Sequence, residues 1–133
     1  ESLNLIKEKY NDRVDINIVK KLPINEYFNF LDQADILIDQ CKSYDYGMNA
    51  ILAMERKIIV LSGSEIEANT YNKFKINPVI NIKPNSSQIY QELEKLILMS
   101  DVELISLKLD MFNHVTEYHN NKKITNNFIE IYK

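Results

Sequence analysis

Residues 34–63 read Ala34-Asp35-Ile36-Leu37-Ile38-Asp39-Gln40-Cys41-Lys42-Ser43-Tyr44-Asp45-Tyr46-Gly47-Met48-Asn49-Ala50-Ile51-Leu52-Ala53-Met54-Glu55-Arg56-Lys57-Ile58-Ile59-Val60-Leu61-Ser62-Gly63. Ile36-Leu37-Ile38 is a short, wholly apolar run that ends at Asp39-Gln40, the pattern of a strand covered on both faces. A loop follows from Cys41 to Tyr46. Gly47 to Glu55 then carries Met48, Ile51, Leu52 and Met54 and reads as a helix, and Lys57 to Leu61 is a second apolar strand ending at Ser62-Gly63. Strand, helix and strand in that order make a parallel βαβ unit.

The same alternation extends outward. Toward the N-terminus, Leu3, Ile6 and Tyr10 lie at helical spacing within Ser2 to Tyr10, with Ser2 as a cap. Val14 to Val19 alternates Val14, Ile16 and Ile18 between Asn11-Asp12 and Lys20-Lys21, which predicts a strand stopped by Pro23. Ile24 to Ala34 has the 3.6-residue period through Tyr27, Phe28, Phe30, Leu31 and Ala34, with Asn25 as a cap. Toward the C-terminus, Glu65 to Phe74 reads as helix, Pro78 to Ile82 as the last strand, and Ser87 to Met99 as an amphipathic helix through Ile89, Leu93, Leu96 and Ile97. A final helical stretch, Val102 to His119, leads through Asn120-Asn121 into Ile124 to Tyr132.

The expected class is therefore α/β, a parallel sheet with helices on both faces. Sites in such sheets lie beyond the carboxyl ends of the strands, which directs attention to Asp39–Asn49 and Ser62–Glu67. A mononucleotide-binding half ordinarily starts with a strand and a Gly-rich turn, whereas here a helix comes first and the chain has two glycines, both later. The opening strand and its loop are expected to be missing.

Composition narrows the function classes. At 133 residues the chain fits one domain, and 45% hydrophobic with 26% charged residues match an ordinary globular protein. No apolar run is long enough to span a bilayer and the polar start resembles no signal peptide, so the expected compartment is the cytoplasm, with no transmembrane segment. Cys41 is the single cysteine, and with His114 and His119 the only histidines there is no Cys/His set with metal-site spacing. A net charge of -3 with scattered lysines argues against nucleic acid as a partner.

The loop that enters the helix at Gly47 is where chemistry is expected. A helix start presents unpaired N–H groups and partial positive charge, and a glycine there lets an anion reach the backbone, so Gly47 suits a diphosphate. The plainer reading is that Gly47 permits a turn while Asn49 caps the helix. Tyr44 and Tyr46 flank the glycine and would either stack on a base or sugar or cover the core. Asp39 and Asp45 would be base or ribose ligands, or else cap or turn residues. Cys41 has no histidine near it in sequence and reads as a buried or loop thiol. His114 and His119 are five apart, one off the i, i+4 spacing of a shared metal face, and read as structural or solvated.

Three stretches together resemble the donor-binding core of retaining, group-1 glycosyltransferases of the GT-B fold. They are Ala34 to Gln40, Tyr46-Gly47-Met48-Asn49-Ala50-Ile51-Leu52-Ala53-Met54, and Lys57 to Gly63. The family typically shows an A-D-I strand, a G-x-N-A helix start and a G-K-x-V strand. The tail, Phe112-Asn113-His114-Val115-Thr116-Glu117-Tyr118-His119 followed by Ile124 and Phe128 to Tyr132, is similar to its closing pattern. The resemblance implies that residues 1–133 are a single C-terminal, Rossmann-like domain binding a nucleotide-diphosphate sugar, without metal or other cofactor. The acceptor, a glycan or lipid-linked glycan of polysaccharide or glycoconjugate synthesis, would sit on an N-terminal domain lying outside this chain. The fragment alone is expected to be inactive. The implied donor-binding residues are Asp39, Ser43, Tyr44, Tyr46, Gly47, Met48, Asn49 and Leu52, with the amides of Gly47, Met48 and Asn49 on the diphosphate. No catalytic residue is assigned.

The chain departs from the family where two glutamates, eight positions apart, would fall at Tyr44 and Leu52. Leu52 stands where the family bonds the nucleotide ribose. Glu55, three positions later on the helix, projects about 60° away from that direction. The family's Ala-Gly ahead of the second strand is Glu55-Arg56, and its basic phosphate-neutralising pair would lie upstream. These losses keep a second class open, a non-catalytic scaffold or partner subunit of the same fold. A phosphorylation receiver module needs an acidic pair after its first strand and a lysine after its last, and neither is so arranged.

Overall fold

A computed structural model describes residues 1–131, and Tyr132, the end of the tail motif, lies outside them. Helix α1 spans Ser2–Lys9, α2 Ile24–Leu31, strand β1 Ile36–Ile38, α3 Met48–Glu55, β2 Ile59–Ser62, α4 Ile66–Tyr71, β3 Ile80–Asn81, α5 Ser86–Leu98, α6 Asp101–Tyr118 and α7 Asn121–Ile131. The class is α/β, with a small three-stranded sheet.

All pairing is parallel and the strand order is β1-β2-β3. Ile36 faces Ile59, Leu37 faces Val60 and Ile38 faces Leu61, and β2 continues onto β3 through Leu61–Ile80 and Ser62–Asn81. Parallel neighbours need a crossover, and α3 and α4 supply them. Every residue of β2 is fully buried. Successive strand side chains point to opposite faces, so both faces of the sheet are covered at its central strand. Strand β1, by contrast, is only half-buried, because it lies at the edge of the sheet.

The core forms where α3 packs on β2 and α6, with α6 also reaching β2. Its fully buried members include Met54, Ile58, Leu61, Ile82, Leu96 and Met111. Truncating any of these to alanine is expected to cost roughly 2–5 kcal/mol. Helix α1 packs on α5, where Glu94 accepts hydrogen bonds from Lys9 Nζ (2.7 Å), Tyr10 (2.8 Å) and Tyr90 (2.7 Å).

Caps explain the sharper boundaries. Asn85 accepts the Gln88 amide at the start of α5, and Ser100 with Glu103 forms a complete capping box at α6. Three expected caps are elsewhere. Ser2 lies inside α1, after Glu1. Asn25 lies inside α2, whose N-cap is Pro23, a residue with φ preset at -55°. Gly47, not Asn49, is the N-cap of α3.

The expected strand Val14–Val19 does not form. Val14 and Ile16 pack against the core as the alternation required, but Ile18 is 76% exposed and β1 pairs only with β2. Without a ladder partner, apolar alternation leaves an irregular segment. The last strand also shrinks from Pro78–Ile82 to Ile80–Asn81, since β2 offers it only Leu61 and Ser62.

Candidate site at the loop between β1 and α3

Backbone bonds suspend this loop over the end of β2. The Asp39 amide donates to Leu61 O (2.9 Å), the Gly63 amide to Gln40 O (2.8 Å) and the Glu65 amide to Tyr44 O (2.8 Å). The loop also folds on itself. Ser43 Oγ bonds the Asp45 carbonyl, Asp45 Oδ1 accepts the Tyr46 amide (2.9 Å) and Asp45 Oδ2 accepts Asn72 Nδ2 (2.8 Å). Asp45 is therefore a turn residue tied to the end of α4, the plainer of its two sequence readings.

At Gly47 the chain is extended, with φ -101° and ψ -172°, and no side chain caps α3. The first helix amide to meet a carbonyl is that of Ala50, on Gly47 O (3.1 Å). A β-carbon at residue 47 would stand 2.9 Å from Gln40 Nε2 and 3.9 Å from Asp39 Oδ2. The approach to the helix start is thus bounded by a flexible amide and a carboxylate. Met48 and Asn49 are exposed, and Tyr44 is 74% exposed.

Two of the predicted residues turn inward. Leu52 packs against the core, and its carbonyl accepts Arg56 Nη1 (3.0 Å). Tyr46 is buried and lies parallel to Phe74, ring centroids 6.1 Å apart. Its face is occupied by the protein itself, so its side chain offers no stacking platform to a base or sugar.

The Tyr46 hydroxyl sits 2.7 Å from His114 Nε2 and 2.8 Å from His119 Nε2. His114 Nδ1 is 3.1 Å from the carbonyl of Ile76, which only accepts, so Nδ1 carries the proton. In the neutral ring Nε2 is then an acceptor and takes the Tyr46 O–H, leaving the Tyr46 oxygen to receive Nε2–H of His119. Phe74 meets both imidazoles edge-on, and Tyr118 lies tilted against His114. Burial pushes the Tyr46 hydroxyl up, reinforced by the Asp45 charge, and burial pushes both imidazoles down.

Sequence reading missed this cluster because five-residue spacing places two side chains on different faces of an ideal helix. His119 is the C-cap of α6, with φ -113° and ψ 20°, and this departure from helical geometry accompanies its approach to Tyr46. A second missed group is Tyr27 on α2. Its buried hydroxyl has no hydrogen-bond partner among the described residues, and its pKa is raised by burial and then by the charge of Asp39.

Among the described residues no group of three or more His, Cys, Asp or Glu is placed to hold a metal, and no helix is long and apolar enough to cross a membrane. A cleft of about 770 Å³ lies elsewhere, between α1 and α5, against Leu5, Lys9, Asn85, Ser86 and Tyr90. It is open, and its lysine is already paired with Glu94. No family model, curated protein or solved structure matches this chain.

Proposed function

We propose that this chain is the C-terminal, Rossmann-like donor half of a retaining glycosyltransferase. It binds a nucleotide-diphosphate sugar beyond the carboxyl ends of β1 and β2, in the cytoplasm. The sugar passes to an acceptor glycan or lipid-linked glycan held by an N-terminal domain, as the group-1 resemblance implies.

One observation carries this reading. Directly after a parallel strand, a loop delivers an uncapped helix start at Gly47, with the first internally bonded amide only at Ala50. Amides and helix dipole there favour a diphosphate, and exposed Tyr44, Met48 and Asn49 flank its approach. Such a site would stabilise the nucleotide diphosphate as it departs from the sugar.

Leu52 supports a second reading. The residue that stands in place of the ribose-binding glutamate packs against the core, which favours a non-catalytic scaffold of the same fold. Titration with uridine, guanosine and adenosine diphosphates and their sugar conjugates separates the two. Heat of binding from any of them supports the donor site, and silence from the folded full-length protein supports the scaffold.

A further inference from the structure

We infer that the C-terminal end of α6 latches the loop between β1 and α3 through a hydroxyl shared by His114 and His119, fixing the backbone that leads into Gly47. The consequence for donor binding rests on the function proposed above, and the latch itself does not.

The geometry carries it. Tyr46 immediately precedes the helix N-cap, and its hydroxyl is held by two imidazoles from one helix at 2.7 and 2.8 Å. His114 is in turn anchored on the Ile76 carbonyl before β3. The donors run in one direction along the chain, from His119 to Tyr46 to His114 to Ile76. It spans three parts of the sequence that share no strand ladder, namely the β1–α3 loop, the segment after α4 and the end of α6. The charged groups around it are Asp45 from the loop and Glu117 from α6, with uncharged Phe74 and Tyr118 closing the sides.

A buried tyrosine used only for packing would be as well served by phenylalanine, whose ring would keep the Phe74 contact. The hydroxyl instead consumes both histidines of the protein. If the donor binds at Gly47, His114 and His119 are positioning residues, acting on the diphosphate through Tyr46.

Amide hydrogen exchange on the whole chain tests the latch. The Tyr46 amide, on Asp45 Oδ1, and the Glu65 amide, on Tyr44 O, report the loop. His119→Leu, which removes one buried hydrogen bond, should speed exchange at both by about tenfold, and Tyr46→Phe, which removes two, by at least as much, while β2 amides change much less. His119→Gln keeps an N–H donor and should restore most of the protection. Unchanged exchange in Tyr46→Phe overturns the latch, as does uniform acceleration across the chain or a His119→Gln protein as open as His119→Leu. Calorimetry with the same nucleotide panel should show Tyr46→Phe binding about tenfold more weakly. Faster loop exchange with unchanged affinity would overturn the positioning role. No binding by the native protein would remove the donor reading and leave exchange to decide the latch.

Discussion

Gly63 passes directly beneath Ser43: a β-carbon at residue 63 would lie 1.8 Å from the Ser43 carbonyl oxygen and 2.7 Å from its carbonyl carbon. Both obstacles are backbone, held in place by the bonds from Gly63 to Gln40 and from Glu65 to Tyr44. No rotamer change relieves the clash, so Gly63→Ala must move the loop. We expect a loss of about 3 kcal/mol, at the severe end of overpacking, read as a fall in the urea midpoint. An unchanged midpoint would mean that the loop does not lie on β2.

Two helices end on a lysine in the left-handed region. After α3, Lys57 has φ 60°, its amide bonds Met54 O and the Ile58 amide bonds Ala53 O. After α4, Lys73 has φ 55°, with the same pair of bonds from Lys73 to Thr70 and from Phe74 to Asn69. Both are Schellman closures, which ordinarily use glycine. Lys73→Gly should stabilise the protein by about 1 kcal/mol by removing the β-carbon strain. The gain at Lys57 should be smaller, because its ammonium lies 5.4 Å from the centroid of the Phe112 ring. Thermal melts of both variants check the sign and the order.

Stability should fall as the solution is acidified from pH 7 toward 5. Burial holds the imidazoles of His114 and His119 below their unfolded value of about 6.5, so the unfolded chain binds protons first. The contribution of the pair is complete above that value and is lost as pH drops through the lowered folded values. At His114 the hydrogen bond to the Ile76 carbonyl, then Glu117 and Asp45, oppose the shift without reversing it, and Asp45 alone does so at His119. Glu94, held down at about 2 by Lys9, Tyr90 and Tyr10, contributes to a separate loss at lower pH. Urea midpoints measured across this range should therefore decline before the carboxylates titrate.

Gly47→Val is expected to abolish nucleotide binding while leaving the fold intact. The nearest obstacle to a new β-carbon is the exposed end of Gln40, a flexible side chain that can swing away. The branched side chain would then cover the approach to the first amides of α3. Calorimetry and far-ultraviolet circular dichroism on the same sample separate the two effects.

The elements that set the fold were legible where apolar runs were unbroken. Ile36–Ile38 and the stretch around Ile59–Leu61 could only be strands at that length, and the helical stretch from Val102 to His119 is α6, whose Ser100–Glu103 capping box appears only in the structure. Val14–Val19 misled, because alternation reports which side chains face a core and not whether a neighbouring strand exists to bond. At the site, Gly47 and the exposed loop residues were readable from local chemistry. The inward turn of Tyr46 was one of two open readings that local sequence could not decide between, since it depends on Phe74, His114 and His119, which are far away in sequence.

The most direct test of the donor-site account is calorimetric titration of the folded full-length protein with uridine, guanosine and adenosine diphosphates and their sugar conjugates, paired with Gly47→Val. The account predicts that at least one nucleotide binds the native protein and that the variant, still folded, binds none. Equal affinity in the variant, or no heat from any nucleotide with the native protein, would contradict it.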